Sequence, residues 1–167
     1  PERLKRVDAV VFHGRSEDIP VVRVHSPFFR MLTQPGEVYA LKDPQRRITL
    51  GELAQEQSLS NTRLIAAAGI GSPERFFTTL RAAGLRFEPM PLDDHHAFDR
   101  NPLAGHHYDC ALITEKDAVK CRALPELAAD GRLCVVTQDI TLDPGLIDFI
   151  IGRLCAQPQM PTAAQPT

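Results

Sequence analysis

Four familiar signatures are missing from this 167-residue sequence, and each absence removes a class of function. Charge of one sign is not in excess: nineteen Lys and Arg stand against twenty-one Asp and Glu, a formal balance of −2. Nucleic-acid binding by bulk electrostatics needs a concentrated basic surface, so no nucleic-acid partner is expected. The local cluster Arg3, Lys5 and Arg6 reads as a solvated charge run near a terminus. Paired cysteines are absent too, because Cys110, Cys121, Cys134 and Cys155 form no Cys-x-x-Cys motif for a metal or redox pair. They read as reduced thiols, with Cys110 and Cys134 as small core residues. No apolar run approaches the roughly 20 residues that span a bilayer, and nothing at the start reads as a signal peptide. Finally, Gly-x-x-x-x-Gly-Lys-[Ser/Thr] occurs nowhere, so the chain carries no Walker A loop.

What is present is an ordinary globular composition, 43% hydrophobic and 24% charged. Short apolar runs alternate with amphipathic ones. Val7–Phe12, Val21–Val24, Leu64–Ala68, Leu85–Met90, Cys110–Ile113 and Leu133–Val136 read as strands, and Val38–Leu41 as an edge strand. Leu50–Glu56 suggests a short helix. A longer one begins at Pro73, with Ser72 as N-cap, Phe76, Phe77, Leu80 and Ala83 on one face, and Gly84 as a left-handed C-terminal stop. Further helices are predicted from Thr114 through Cys121 and from Asp143 through Leu154. This order implies an α/β fold, a mostly parallel sheet with helices on both faces. Residues 1–156 are expected to form the α/β portion, with 157–167 a mobile tail. The opening at Pro1, a few residues before a strand pattern, reads as a fragment of a longer protein.

In such sheets ligands gather at the carboxyl ends of the strands. Three polar segments are predicted there: Gly69–Arg75, Asp93–Asp99 and Thr114–Lys120. Gly69 and Gly71 join a strand to a helix, where backbone N–H groups and Arg75 could hold an anion. A tight turn before a well-capped helix explains the same residues. Asp94-His95-His96 could orient a histidine tautomer, raise its basicity or bind a metal, although adjacent histidines on an extended loop point apart. His106-His107-Tyr108-Asp109 repeats the theme, but its spacing matches no tight structural zinc pattern, and no metal ligands are assigned. Thr114-Glu115-Lys116-Asp117 reads as a capping box, with Thr114 and Asp117 satisfying each other's backbone donors. Capping does not require Lys116 and Lys120, which are candidates for a nucleotide phosphate.

Together these segments resemble a known set. Ala67-Ala68-Gly69-Ile70-Gly71-Ser72-Pro73-Glu74-Arg75-Phe76-Phe77, Asp94-His95-His96-Ala97-Phe98 and Thr114-Glu115-Lys116-Asp117-Ala118-Val119-Lys120-Cys121 are similar, in order, to three motifs of the tetraacyldisaccharide 4'-kinases. The likeness runs from about Leu4 to Ile151 and departs from the family pattern at Leu92-Asp93, where phenylalanine and proline are usual. It implies the carboxyl-terminal half of a P-loop kinase-like fold, without the half that carries the Walker A loop. It also implies ATP- and Mg²⁺-dependent phosphorylation of the 4'-hydroxyl of a tetraacyldisaccharide 1-phosphate, giving lipid IVA in lipid A biosynthesis. The setting implied is the cytoplasmic face of the bacterial inner membrane, as a peripheral protein. Partners implied are the acylated disaccharide lipid and the missing amino-terminal half. By the same resemblance His95, beside Asp94, pairs with an upstream catalytic aspartate, while Gly69, Gly71, Arg75, Lys116 and Lys120 attend the nucleotide. Two alternatives stay open: a metal-dependent phosphoesterase of the Asp-His-His type, and a non-catalytic nucleotide-binding module.

Overall fold

The computed structural model describes residues 2–14, 25–94, 96–98 and 100–155. The strand predicted at Val21–Val24 and the tail from 157 onward lie outside the described residues. The chain divides into two compact units, one made of residues 1–33 with 140–167 and the other of 34–139.

The larger unit is built on parallel strands. β4 (Leu64–Ala68) is flanked by β5 (Phe87–Pro91) and β6 (Cys110–Thr114), and β7 (Leu133–Leu142) follows β6, all parallel. All five residues of β4 are buried, as expected of a strand covered on both faces. Its alternation distributes the core. Ile65 and Ala67 join Ala118, Cys121 and Leu127 on one side; Leu64, Ala66 and Ala68 join Leu50, Phe77 and Leu80 on the other. Helices therefore cover both faces: α3 (Glu115–Cys121) and α4 (Pro125–Ala129) on the first, α1 (Leu50–Ser60) and α2 (Pro73–Ala82) on the second. The mostly parallel α/β architecture expected from the sequence is the one observed.

Several local expectations are corrected. The edge strand expected at Val38–Leu41 is the end of a much longer β2 (Phe28–Ala40), which turns through Leu41 and Lys42 into an antiparallel β3 (Asp43–Thr49). Ser72 makes no side-chain cap bond to α2. A full capping box instead opens α1, where Thr49 and Glu52 exchange bonds. Gly84 does stop α2, at φ +88°.

In the smaller unit, β1 (Val10–His13) runs parallel to the first residues of β2, Val10 opposite Phe28. The helix α5 (Pro144–Cys155) buries Leu146 and sets Phe149 against Phe29, ring centroids 5.5 Å apart. Its other side leaves Ile147, Ile150, Ile151 and Leu154 exposed.

Candidate functional site

Because β4, β5 and β6 are parallel neighbours, the segments leaving their carboxyl ends must emerge along one edge. The segments there converge as the sequence anticipates. A Cβ built on Gly71 would lie 3.4 Å from Asp94 Oδ2, and Asp94 Oδ1 is 3.8 Å from Lys116 Nζ. These contacts join the turn after β4, the segment after β5 and the first turn of α3. His95 and Asp99 lie outside the described residues.

Asp117 stands at the centre. Thr114, in extended geometry at the N-cap of α3, accepts a hydrogen bond from the Asp117 N–H at 3.2 Å. The expected return bond, from the Thr114 N–H to the Asp117 carboxylate, is not formed. Asp117 Oδ2 accepts instead from the Thr114 hydroxyl at 2.7 Å and from the Gly69 N–H at 3.0 Å. The reason is accounting: Gly69 is buried, and its N–H needs an acceptor that β4 does not supply. Asp117 itself is fully buried.

One helical turn on, Lys120 donates to the His96 carbonyl at 2.8 Å and lies 3.8 Å from Asp117 Oδ1. Its ammonium also sits 5.7 Å from the centroid of the Phe98 ring. Phe98 is buried with φ +54°, a conformation rare for an aromatic residue. It is held by its N–H, which donates to His96 Nδ1 at 3.1 Å, and by an edge-on contact between the two rings. The His96 ring is thus an acceptor within its own loop. The His96 N–H in turn bonds the Asp93 carbonyl. Cys121 ends α3 beneath this cluster; burial first, and then the charge of Asp117, push its thiol pKa up to about 12.

The remaining candidates fall into two groups. Arg75 is exposed in the first turn of α2, and among the described residues its guanidinium has no partner. Gly69 is not an open anion cradle, because its N–H is committed to Asp117. His106 to Asp109 belong elsewhere, at the amino ends of the strands. Asp109 accepts from the Arg63 N–H, His106 faces Glu88 at 4.0 Å, and the Tyr108 hydroxyl donates to Asp130. Among the described residues no three His, Cys, Asp or Glu side chains are grouped to hold a metal ion. A cavity of about 410 Å³ also opens at that opposite edge, lined by Val38, Ile48, Leu53, Leu64, Cys110 and Cys134 among others. The roles of Asp117 and Lys120 as inward anchors escaped sequence reasoning, since an Asp three residues after a Thr reads only as a cap.

Fold and rim define an open α/β domain whose polar loops gather at the carboxyl edge of a parallel sheet. The family profile described as tetraacyldisaccharide-1-P 4'-kinase matches residues 1–155. The chain belongs to that family. It is 40% identical over 154 residues to the tetraacyldisaccharide 4'-kinase of Herminiimonas arsenicoxydans, covering 90% of this chain and 43% of that protein. With the tetraacyldisaccharide 4'-kinase of Janthinobacterium sp. (strain Marseille) it shares 46% over 150 residues, covering 90% of this chain and 42% of the relative. The chain therefore spans less than half the length of the curated relatives it matches. Among solved structures, the "apo" form of LpxK from Aquifex aeolicus in complex with ATP superimposes with a TM-score of 0.57 at 22% identity. That match covers 88% of this chain and 42% of the other, and it shows the shared fold. Among the described residues no helix is long and apolar enough to cross a membrane.

Proposed function

We propose that this chain is the carboxyl-terminal part of a kinase that transfers a phosphoryl group from ATP to the 4'-hydroxyl of a tetraacyldisaccharide 1-phosphate, the step that yields lipid IVA. One observation carries the reading beyond family membership: the family-like segments after β4, β5 and β6 come together, Lys116 facing the Asp94 carboxylate and that carboxylate lying against the Gly71 backbone. Phosphoryl transfer depends mainly on positioning and on neutralising oxygen charge. Arg75 and the half-exposed Lys116 fit a nucleotide's phosphates, both being cations at the rim. Mg²⁺ belongs to the same reading as the ion that accompanies ATP and neutralises its phosphate oxygens. An ion accompanying ATP would take its ligands from phosphate oxygens and from the rest of a family-length protein. The family match over residues 1–155 favours this reading over the Asp-His-His phosphoesterase, which needs two metals held at once.

Partners follow from the same reading. On this reading the Walker A loop and the catalytic aspartate that the resemblance implies lie in the rest of a family-length protein, since the chain covers 43% of one relative and 42% of another. That part is the natural cover for the exposed stripe Ile147, Ile150, Ile151 and Leu154 on α5. A lipid substrate fits a peripheral membrane enzyme, and on this reading it works at the cytoplasmic face of the inner membrane.

His95 is the residue assigned to tune the base. In the full-length protein His95→Ala is expected to lower kcat by about 10²-fold or more, the usual worth of a positioned acid–base group, with little change in unfolding midpoint. Turnover equal to wild type would refute the assignment.

A further inference from the structure

The geometry points to Asp117 and Lys120 as a pair of positioning residues, which lock His96, and with it Phe98, against the Gly69 turn. The inference rests on the kinase reading for its effect on turnover, and on geometry alone for its effect on the loop. Capping explains Asp117 only in part, because an aspartate at this position of a surface helix normally keeps its carboxylate in water. Here the carboxylate is fully buried, a costly placement unless its bonds are met inside. Oδ2 accepts from the Thr114 hydroxyl and from the Gly69 N–H; Oδ1 accepts no hydrogen bond and has the Lys120 ammonium 3.8 Å away.

Lys120 passes the constraint on. Its one short bond, 2.8 Å, goes to the main-chain oxygen of His96. A continuous chain thus runs from the Gly69 N–H through the Asp117 carboxylate and the Lys120 ammonium to the His96 carbonyl, linking the exits of β4, β6 and β5. The two lysines that look alike in sequence differ here. The Lys116 side chain is 47% exposed and faces Asp94 at the rim, whereas that of Lys120 is 24% exposed and turned inward. Lys116 is placed to meet an anion. Lys120 is placed to hold a backbone.

The test uses the full-length protein with ATP and an acylated disaccharide 1-phosphate in detergent micelles. Lys120→Met is expected to lower kcat about tenfold or more while KM for ATP stays within about threefold, because a loop out of place costs rate more than binding. Lys120→Arg should restore most of kcat, and Lys116→Met should raise KM for ATP instead. Hydrogen exchange without nucleotide supplies a readout independent of activity. In Lys120→Met, and in Asp117→Asn should Lys120→Met fold poorly, the His96 and Phe98 amides should exchange about tenfold faster while β4 amides keep their protection. Unchanged exchange at His96 and Phe98 would overturn the proposal. So would faster exchange with wild-type kcat, or a Lys120→Met effect confined to KM for ATP. A wild-type protein without phosphoryl transfer would sink the kinase reading, and the exchange experiment would still decide whether the lock exists.

Discussion

Gly69→Ala tests the rim most sharply, because its consequence depends on which of two opposed effects is larger. The new methyl would stand 3.1 Å from Asp117 Oδ1, 3.1 Å from His96 Cβ and 3.5 Å from the Asp93 carbonyl oxygen. Ordinary contacts begin near 3.4 Å, so two neighbours must each give way by about 0.3 Å. Neither gives easily. Rotating the Asp117 carboxylate would break its bond from the Gly69 N–H, and moving His96 would break its carbonyl bond from Lys120. Overpacking of this kind costs about 1–3 kcal/mol. Against it, Gly69 is not among the positive-φ residues, so alanine gains about 0.4–1 kcal/mol by restricting the unfolded chain. The difference is a net loss centred on about 1.3 kcal/mol, which at about 2 kcal/mol per M of urea lowers the unfolding midpoint by about 0.6 M. Two controls separate the causes. Gly71→Ala, with only a 3.4 Å contact to Asp94 and no positive φ, should keep the unfolded-chain gain and raise the midpoint slightly. Gly84→Ala has room, its Cβ 3.9 Å from Ala54, but sits at φ +88° and should lose about 1–2 kcal/mol to backbone strain. A Gly69→Ala protein as stable as wild type would refute the claim that the three loops are locked around this position.

The remaining predictions concern groups whose hold on a proton is shifted by burial and neighbours. In a thiol-labelling assay at pH 8, exposed Cys155 should react at once and buried Cys121 only on unfolding, since its pKa is pushed up to about 12; native-rate labelling of Cys121 would contradict its packing. At the opposite edge, the neighbouring Cys134 thiol and then burial push the Cys110 thiol up, so Cys110 should resist alkylation until the protein unfolds. Burial, then the bond to Asp130, raises the Tyr108 hydroxyl from its ordinary 10 to about 12. A raised acid favours the folded state fully below pH 10 and loses that contribution as pH climbs through 12, so Tyr108→Phe should flatten the alkaline decline in stability over that window.

How much of this was legible in the sequence depended on whether the deciding contact was local. Leu64–Ala68 could be read as a doubly covered strand, because five buried positions need five small or apolar residues in a row. The start of α2 at Pro73 and its stop at Gly84 follow from backbone chemistry that the residue types dictate. β3 could not be read that way. Asp43–Thr49 holds a single half-buried apolar residue, Ile48, and is a strand because β2 pairs with it. The rim shows the same division within one motif. That the Gly69, Asp94 and Thr114 segments would converge follows from parallel order alone, so it was available before any coordinate. That Lys120 would turn inward while Lys116 stays at the rim depends on a carbonyl 24 residues earlier in the chain. It depends equally on a glycine 48 residues before Asp117, whose N–H draws that carboxylate into the interior. Residue type fixes which groups can bond, whereas three-dimensional neighbours fix which of two similar lysines is left free for a ligand.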